Sequence, residues 1–114
     1  MSSCILTIVK NEHLYLDEWI TYHLSMGVSH IFILEDIDSD SHQDIVQKYL
    51  NQVTLFPASA VLSESEQQLI IDNRAKGIPG GQKTCIKAGL DFIKAHFNYD
   101  WCFVIDNDAI LTLT

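Results

Sequence analysis

The spacing of apolar and polar positions changes several times along the chain, and each change marks an element. Cys4 to Val9 (C-I-L-T-I-V) is an unbroken apolar run rich in β-branched residues. That is the pattern of a buried strand, and it stops at the polar Lys10-Asn11-Glu12. From Glu12 the period becomes helical, with Leu16, Trp19, Ile20, His23, Leu24 and Met26 on one stripe. Asn11 is the expected N-cap, Glu12 belongs in the first turn, and Gly27 is the expected stop. His23 lies beside the stripe and is expected to pack rather than to bind a ligand. Val28 to Leu34 (V-S-H-I-F-I-L) reads as a second strand, emptying into Glu35-Asp36-Ile37-Asp38-Ser39-Asp40-Ser41. Asp40 or Ser41 then caps a helix whose inner face is Ile45, Val46, Tyr49 and Leu50.

Val53 to Phe56 is a short third strand, stopped by Pro57. Residues 58–79 have a weaker pattern. Ser63 and Glu66 have the spacing of a capping box before Leu69-Ile70-Ile71, which predicts a short helix, and Pro79-Gly80-Gly81 breaks the chain again. Thr84 to Phe97 reads as a further helix with Ile86, Leu90, Ile93 and Phe97 inward, ended by Asn98. Trp101-Cys102-Phe103-Val104-Ile105 then reads as a central strand that runs into Asp106-Asn107-Asp108.

Strands alternating with helices predict an α/β fold: a mostly parallel sheet with right-handed crossovers and helices on both faces. The strand C-termini then share one edge, and Glu12, Asp36, Asp38, Asp106 and Asp108 gather there. Positions i and i+2 of a strand point the same way, so Asp106 and Asp108 are expected to face one site. Two hard oxygen ligands suit Mg²⁺ or Mn²⁺, which bind few carboxylates together with substrate phosphates. A strand ending in a solvated turn rich in Asp and Asn has the same letters, and D-x-D is short.

Composition narrows the class. With 114 residues, 47% hydrophobic and 19% charged, the chain fits one globular domain, spanning residues 1–114, rather than a disordered segment. No run approaches the roughly 18 apolar residues of a membrane span, and Met1-Ser2-Ser3 does not open a signal peptide, so a cytoplasmic location is expected. Cys4, Cys85 and Cys102 lack C-x-x-C spacing and read as reduced thiols rather than a disulfide framework or a zinc site. The net charge of −8 argues against nucleic acid as a partner. A nucleotide remains compatible if a divalent cation separates the two sets of negative charge. No G-x-x-x-x-G-K-[ST], G-x-G-x-x-G or G-x-S-x-G motif is present. Asp36-x-Asp38-x-Asp40 fails as a calcium loop at Ser41 and Gln47.

The stretch Lys10-Asn11-Glu12, Tyr15-Leu16-x-Glu18-Trp19-Ile20-x-Tyr22-His23, Gly27-Val28 resembles the opening of a glycosyltransferase family 2-like domain, whose pattern is K-N-E-x-x-Y-L-x-E-W-I-x-Y-H-x-x-x-G-V. The later W-x-x-x-I-D-x-D of Trp101 to Asp108 resembles that domain's metal-binding motif, and the acidic stretch after the second strand and Gln82 also fit. The resemblance implies a GT-A fold that binds a UDP- or GDP-linked sugar. It implies that Val9, Lys10, Asn11 and Glu12 face the nucleotide, with Asp36 (and Asp38 beside it) at the base or ribose. Asp106 and Asp108 would hold Mn²⁺ or Mg²⁺ against the diphosphate.

Two departures stand out. The family pattern runs D-x-D-E-F, whereas Ala109 follows Asp108 here. The chain also ends at Thr114, before the region from which such enzymes draw acceptor contacts and a catalytic base, so a truncated, donor-binding half or a degenerate, non-catalytic module is expected. Ala109 to Thr114 has β-forming character, and pairing at a sheet edge there is expected to favour a homo-oligomer.

Overall fold

The computed structural model describes residues 2–37, 39–49, 51–78 and 80–105. Asp38, Leu50, Asp106, Asp108 and the segment 109–114, all assigned roles above, lie outside the described residues.

Four strands form the sheet: β1 (Ser3–Val9), β2 (His30–Glu35), β3 (Val53–Pro57) and β4 (Trp101–Val104). They are connected by helices α1 (His13–Ser25), α2 (Gln43–Val46, continued by a 3-10 turn at Gln47–Tyr49), α3 (Glu64–Ala75) and α4 (Gln82–His96). Every described pairing is parallel, in the order β3-β2-β1-β4. The expected α/β architecture is therefore present: a parallel sheet with helices on both faces.

Alternation along the strands builds two cores. Cys4, Leu6, Ile8, Phe32, Leu34 and Phe56 face one side, where Ile70 of α3 and Cys85 and Ile93 of α4 cover them. Ile5, Val9, Ile31, Ile33 and Val53 face the other, against Leu16, Trp19 and Ile20 of α1 and Val46 of α2. His23 is fully buried, with its Nδ1 2.9 Å from the Trp19 carbonyl, in the packing role expected of it.

Several local expectations change. Asn11 does not cap α1. It adopts a left-handed backbone (φ 54°), and Glu12 takes the cap position without a side-chain bond. The second helix starts from His42, not Asp40 or Ser41, and makes one α-turn. The helix in the 58–79 stretch is longer than expected at 12 residues, and its Ser63–Glu66 capping box is formed in both directions. α4 begins at Gln82, and Cys85, Gly89 and Ile93 are its buried positions, with Ile86 and Leu90 flanking them and Phe97 39% exposed. Gly89 sets that register: a Cβ there would lie 3.2 Å from Leu6 Cδ2, so the helix meets β1 closely where it has no side chain. Finally, β4 is terminal rather than central among the described strands, with Trp101 55% and Val104 45% exposed.

Candidate functional site

Strand order fixes where a ligand can sit. The chain lays β1, β2 and β3 down in one direction and then returns to place β4 on the other side of β1. Open parallel sheets bind ligands outside the strand carboxyl ends at such a reversal, because the diverging crossovers leave a crevice there. That reversal lies between β1 and β4, and β2 ends in register with β1 on its other side, so the residues after these strands share one edge.

β1 and β2 end in register, Val9 opposite Glu35, and the Asp36 amide donates to the Val9 carbonyl at 2.9 Å. Just beyond them opens a cleft of about 630 Å³ lined by Lys10, Asp36, Arg74, Gly80 and Gln82. Its volume falls within the range of small-molecule sites, roughly 300–1,000 Å³. Asp36 is almost completely buried, and its Oδ1 accepts the Ile37 amide at 2.7 Å. Arg74, near the C-terminal end of α3, reaches the same carboxylate. Its Nη2 lies 3.2 and 3.1 Å from the two Asp36 oxygens and 2.9 Å from the Gly80 carbonyl, which Nε also reaches at 3.2 Å.

The remaining guanidinium nitrogen, Nη1, is buried with no hydrogen-bond partner among the described residues. A buried N–H without a partner is costly unless water or a small rearrangement satisfies it. Below the pair lies Cys85, whose thiol is pushed up to about 11. Burial is the main cause; the Asp36 carboxylate adds to it and Arg74 opposes it. Cys85 is accordingly a packed thiol, not a nucleophile.

Lys10 and Asp36, two of the residues expected to face a nucleotide, line the cleft. Val9 is buried in the core beneath it. Asn11 and Glu12 turn instead toward the loop between β2 and α2. The Asn11 amide donates to Ser39 Oγ at 3.2 Å, and Asn11 Oδ1 accepts the Asp40 amide at 2.7 Å. The Glu12 amide donates to His42 Nε2 at 2.9 Å. Asp38, Asp106 and Asp108 lie outside the described residues; Asp106 directly follows Ile105, whose amide donates to the Leu6 carbonyl at 3.1 Å. No group of three or more His, Cys, Asp or Glu with metal-binding geometry occurs among the described residues.

Arg74 and His42 escape a reading by motif. The signal for Arg74 was its singularity: it is the sole arginine of a chain with net charge −8. A lone guanidinium in so acidic a protein is expected to be paired, and the nearest buried carboxylates follow strand ends. For His42 there was no signal beyond its place in a polar loop.

Comparison with known proteins is consistent with a sugar-transfer lineage. A glycosyltransferase family 92 protein from Ricinus communis is 38% identical over 45 residues, which are 40% of this chain and 8% of that protein. No protein-family model matches the chain, and no solved structure matches it significantly. Among the described residues no helix is long and apolar enough to cross a membrane. The partial match supports a glycosyltransferase relationship, without assigning the chain to family 2 and without bearing on the D-x-D.

Proposed function

We propose that this chain is the donor-binding part of a glycosyltransferase-like protein, taking the nucleoside diphosphate of a UDP- or GDP-linked sugar in the cleft beyond β1 and β2. The observation that carries the proposal is the Asp36–Arg74 pair in the cleft beyond the carboxyl ends of β1 and β2. A carboxylate beside a guanidinium offers an acceptor and a donor side by side, which matches the imide or amide edge of uracil or guanine. Lys10 adds a cation on the same wall.

The metal belongs to the same proposal. Asp106 and Asp108 form an all-oxygen donor pair of the type that Mn²⁺ and Mg²⁺ accept, and they follow β4, the strand beside β1. When bound, the ion would supply Lewis-acid stabilisation of a leaving diphosphate. Asp36 and Arg74 would hold the nucleoside. A second reading, a non-catalytic binding module, is favoured by Ala109, where the resembling pattern carries an acidic residue. In either case the Ricinus protein is far longer than this chain, so transfer to an acceptor is a property to test on a longer protein.

Calorimetric titration of UDP and GDP, each with and without Mn²⁺, tests the assignment. Metal-dependent binding of one of them is expected, and it should disappear in Asp106→Asn and Asp108→Asn while the unfolding midpoint stays put. Binding that survives both substitutions removes the metal assignment; a folded protein that binds neither nucleotide removes the donor site.

A further inference from the structure

His42 is fully buried, yet every polar atom of its ring is committed. Its Nε2 lies 2.9 Å from the Glu12 amide, which can only donate, so Nε2 must carry the lone pair. The ring proton is then on Nδ1, which donates to Glu35 Oε2 at 2.9 Å, and the His42 backbone amide donates to the same oxygen at 2.8 Å. Glu35 thereby fixes one tautomer, as a carboxylate does for a metal-ligating or catalytic imidazole. His13 completes the arrangement: its ring stacks on His42 at 4.3 Å and 13°, while its Nε2 donates to the Ser41 carbonyl at 2.7 Å.

These contacts join two loops that are far apart in sequence, residues 10–13 after β1 and residues 39–42 after β2. In the first of them lies Asn11 in a left-handed conformation, its amide and Oδ1 bonded to Ser39 and Asp40. Lys10, on the cleft wall, is the residue just before this turn. We propose that His42, as the neutral Nδ1–H tautomer, is the positioning residue of the candidate nucleotide site, setting the Lys10–Glu12 turn through the Glu12 amide. It touches no ligand itself. The proposal rests on the nucleotide reading for the identity of the ligand and on the geometry alone for the turn.

The test uses the full chain and three variants. His42→Leu keeps an apolar side chain of similar bulk but offers the Glu12 amide nothing. His42→Gln retains an acceptor that reaches toward Nε2. Val53→Ala weakens the core at the opposite end of the sheet and controls for simple loss of stability. Ring ¹⁵N shifts should show His42 protonated at Nδ1 and bare at Nε2. His42→Leu should speed amide exchange at Glu12, and should weaken UDP or GDP binding with Mn²⁺, by roughly tenfold each, the loss expected for one buried hydrogen bond. His42→Gln should restore most of both, and Val53→Ala should change neither.

A ring protonated at Nε2 overturns the proposal. So does a folded His42→Leu protein with unchanged Glu12 exchange and unchanged affinity, or an affinity loss that Val53→Ala reproduces. If the unsubstituted chain binds neither nucleotide, the nucleotide reading fails separately, and the tautomer and the exchange rates still decide whether His42 sets the turn. Should His42→Leu not fold, the tautomer and the His42→Gln exchange rate carry the decision.

Discussion

At the scale of single residues, the cleft depends on one ion pair whose partners differ in their alternatives. The Asp36 side chain is only 4% exposed and would be left as a nearly buried, unpaired charge without Arg74. Removing one member of a buried pair typically costs about 3–5 kcal/mol, mostly from the charge left behind. The Arg74 side chain is 24% exposed, which lowers the expectation for Arg74→Ala to about 2–3 kcal/mol in a urea titration. Asp36→Asn with Arg74 intact should cost less, because an amide still accepts from the guanidinium. The double variant Asp36→Asn/Arg74→Ala should be more stable than Arg74→Ala alone, since no buried carboxylate remains. If the single and double variants lose the same stability, Asp36 is not the charge that Arg74 neutralises. Arg74→Lys should fold yet bind nucleotide poorly, because an ammonium cannot serve Asp36, the Gly80 carbonyl and a ligand from one plane.

At the scale of elements, α3 is the lever that holds Arg74 in place, and its N-terminus is fixed by local chemistry. Ser63 Oγ accepts the Glu66 amide at 3.1 Å, and the Glu66 carboxylate accepts the Ser63 amide at 3.0 Å. The Ser63 backbone bond, followed by the bond from its side chain, lowers the Glu66 pKa below its ordinary value of 4.5. A carboxyl group whose pKa is lower folded than unfolded stabilises the fold above the unfolded value. That contribution disappears as the pH falls through the folded value. Helix stability in α3 should therefore be flat at neutral pH and decline below about pH 4.5, and Glu66→Gln should flatten that decline. Ser63→Ala is expected to cost about 1 kcal/mol at neutral pH. Amide exchange along α3, followed from pH 3 to 7, distinguishes this from global acid unfolding: a decline shared equally by β1 would refute the local origin. The capping box was legible in the sequence because it needs only two residues at fixed spacing. So were β1, β2, the stripe of α1 and the parallel layout, which depend on long hydrophobic periods. The cap of α1 was not legible. Asn11 has the right chemistry for a cap, but a tertiary bond from Asp40 draws its side chain away. On α4 the expected Ile93 is buried and Ile86 and Leu90 pack against the same core, but Cys85 and Gly89 were missed, since Gly89 is invisible to hydrophobic periodicity yet permits a close approach to β1.

At the scale of the whole molecule, the strands place the candidate cleft at their carboxyl ends, and among the described strands β3 and β4 are the two edges. β1 lies between β2 and β4, and β2 between β1 and β3, so the two strands that lead into the cleft are the interior pair of the described sheet. β4 pairs with β1 along four residues, and no described strand lies on its other side. Its place was legible as a strand but not as a flank, because Trp101 to Ile105 is as apolar as a buried strand; apolarity alone does not say how many neighbours a strand has. An apolar edge with Trp101 and Val104 half exposed is a template for another strand, and proteins usually shield such edges with charge. The net charge of −8 opposes pairing between two copies, and this repulsion is screened over roughly 8 Å at physiological ionic strength. Two effects of opposite sign therefore meet at this flank, and salt separates them. Sedimentation velocity should show self-association that grows with protein concentration and with added NaCl. Val104→Lys places a charge on the edge and should hold the chain monomeric at every salt concentration. Monomer alone over a wide concentration range at high salt would mean that the flank is not an interface between copies. Association that instead weakens with salt would assign the contact to charged groups elsewhere.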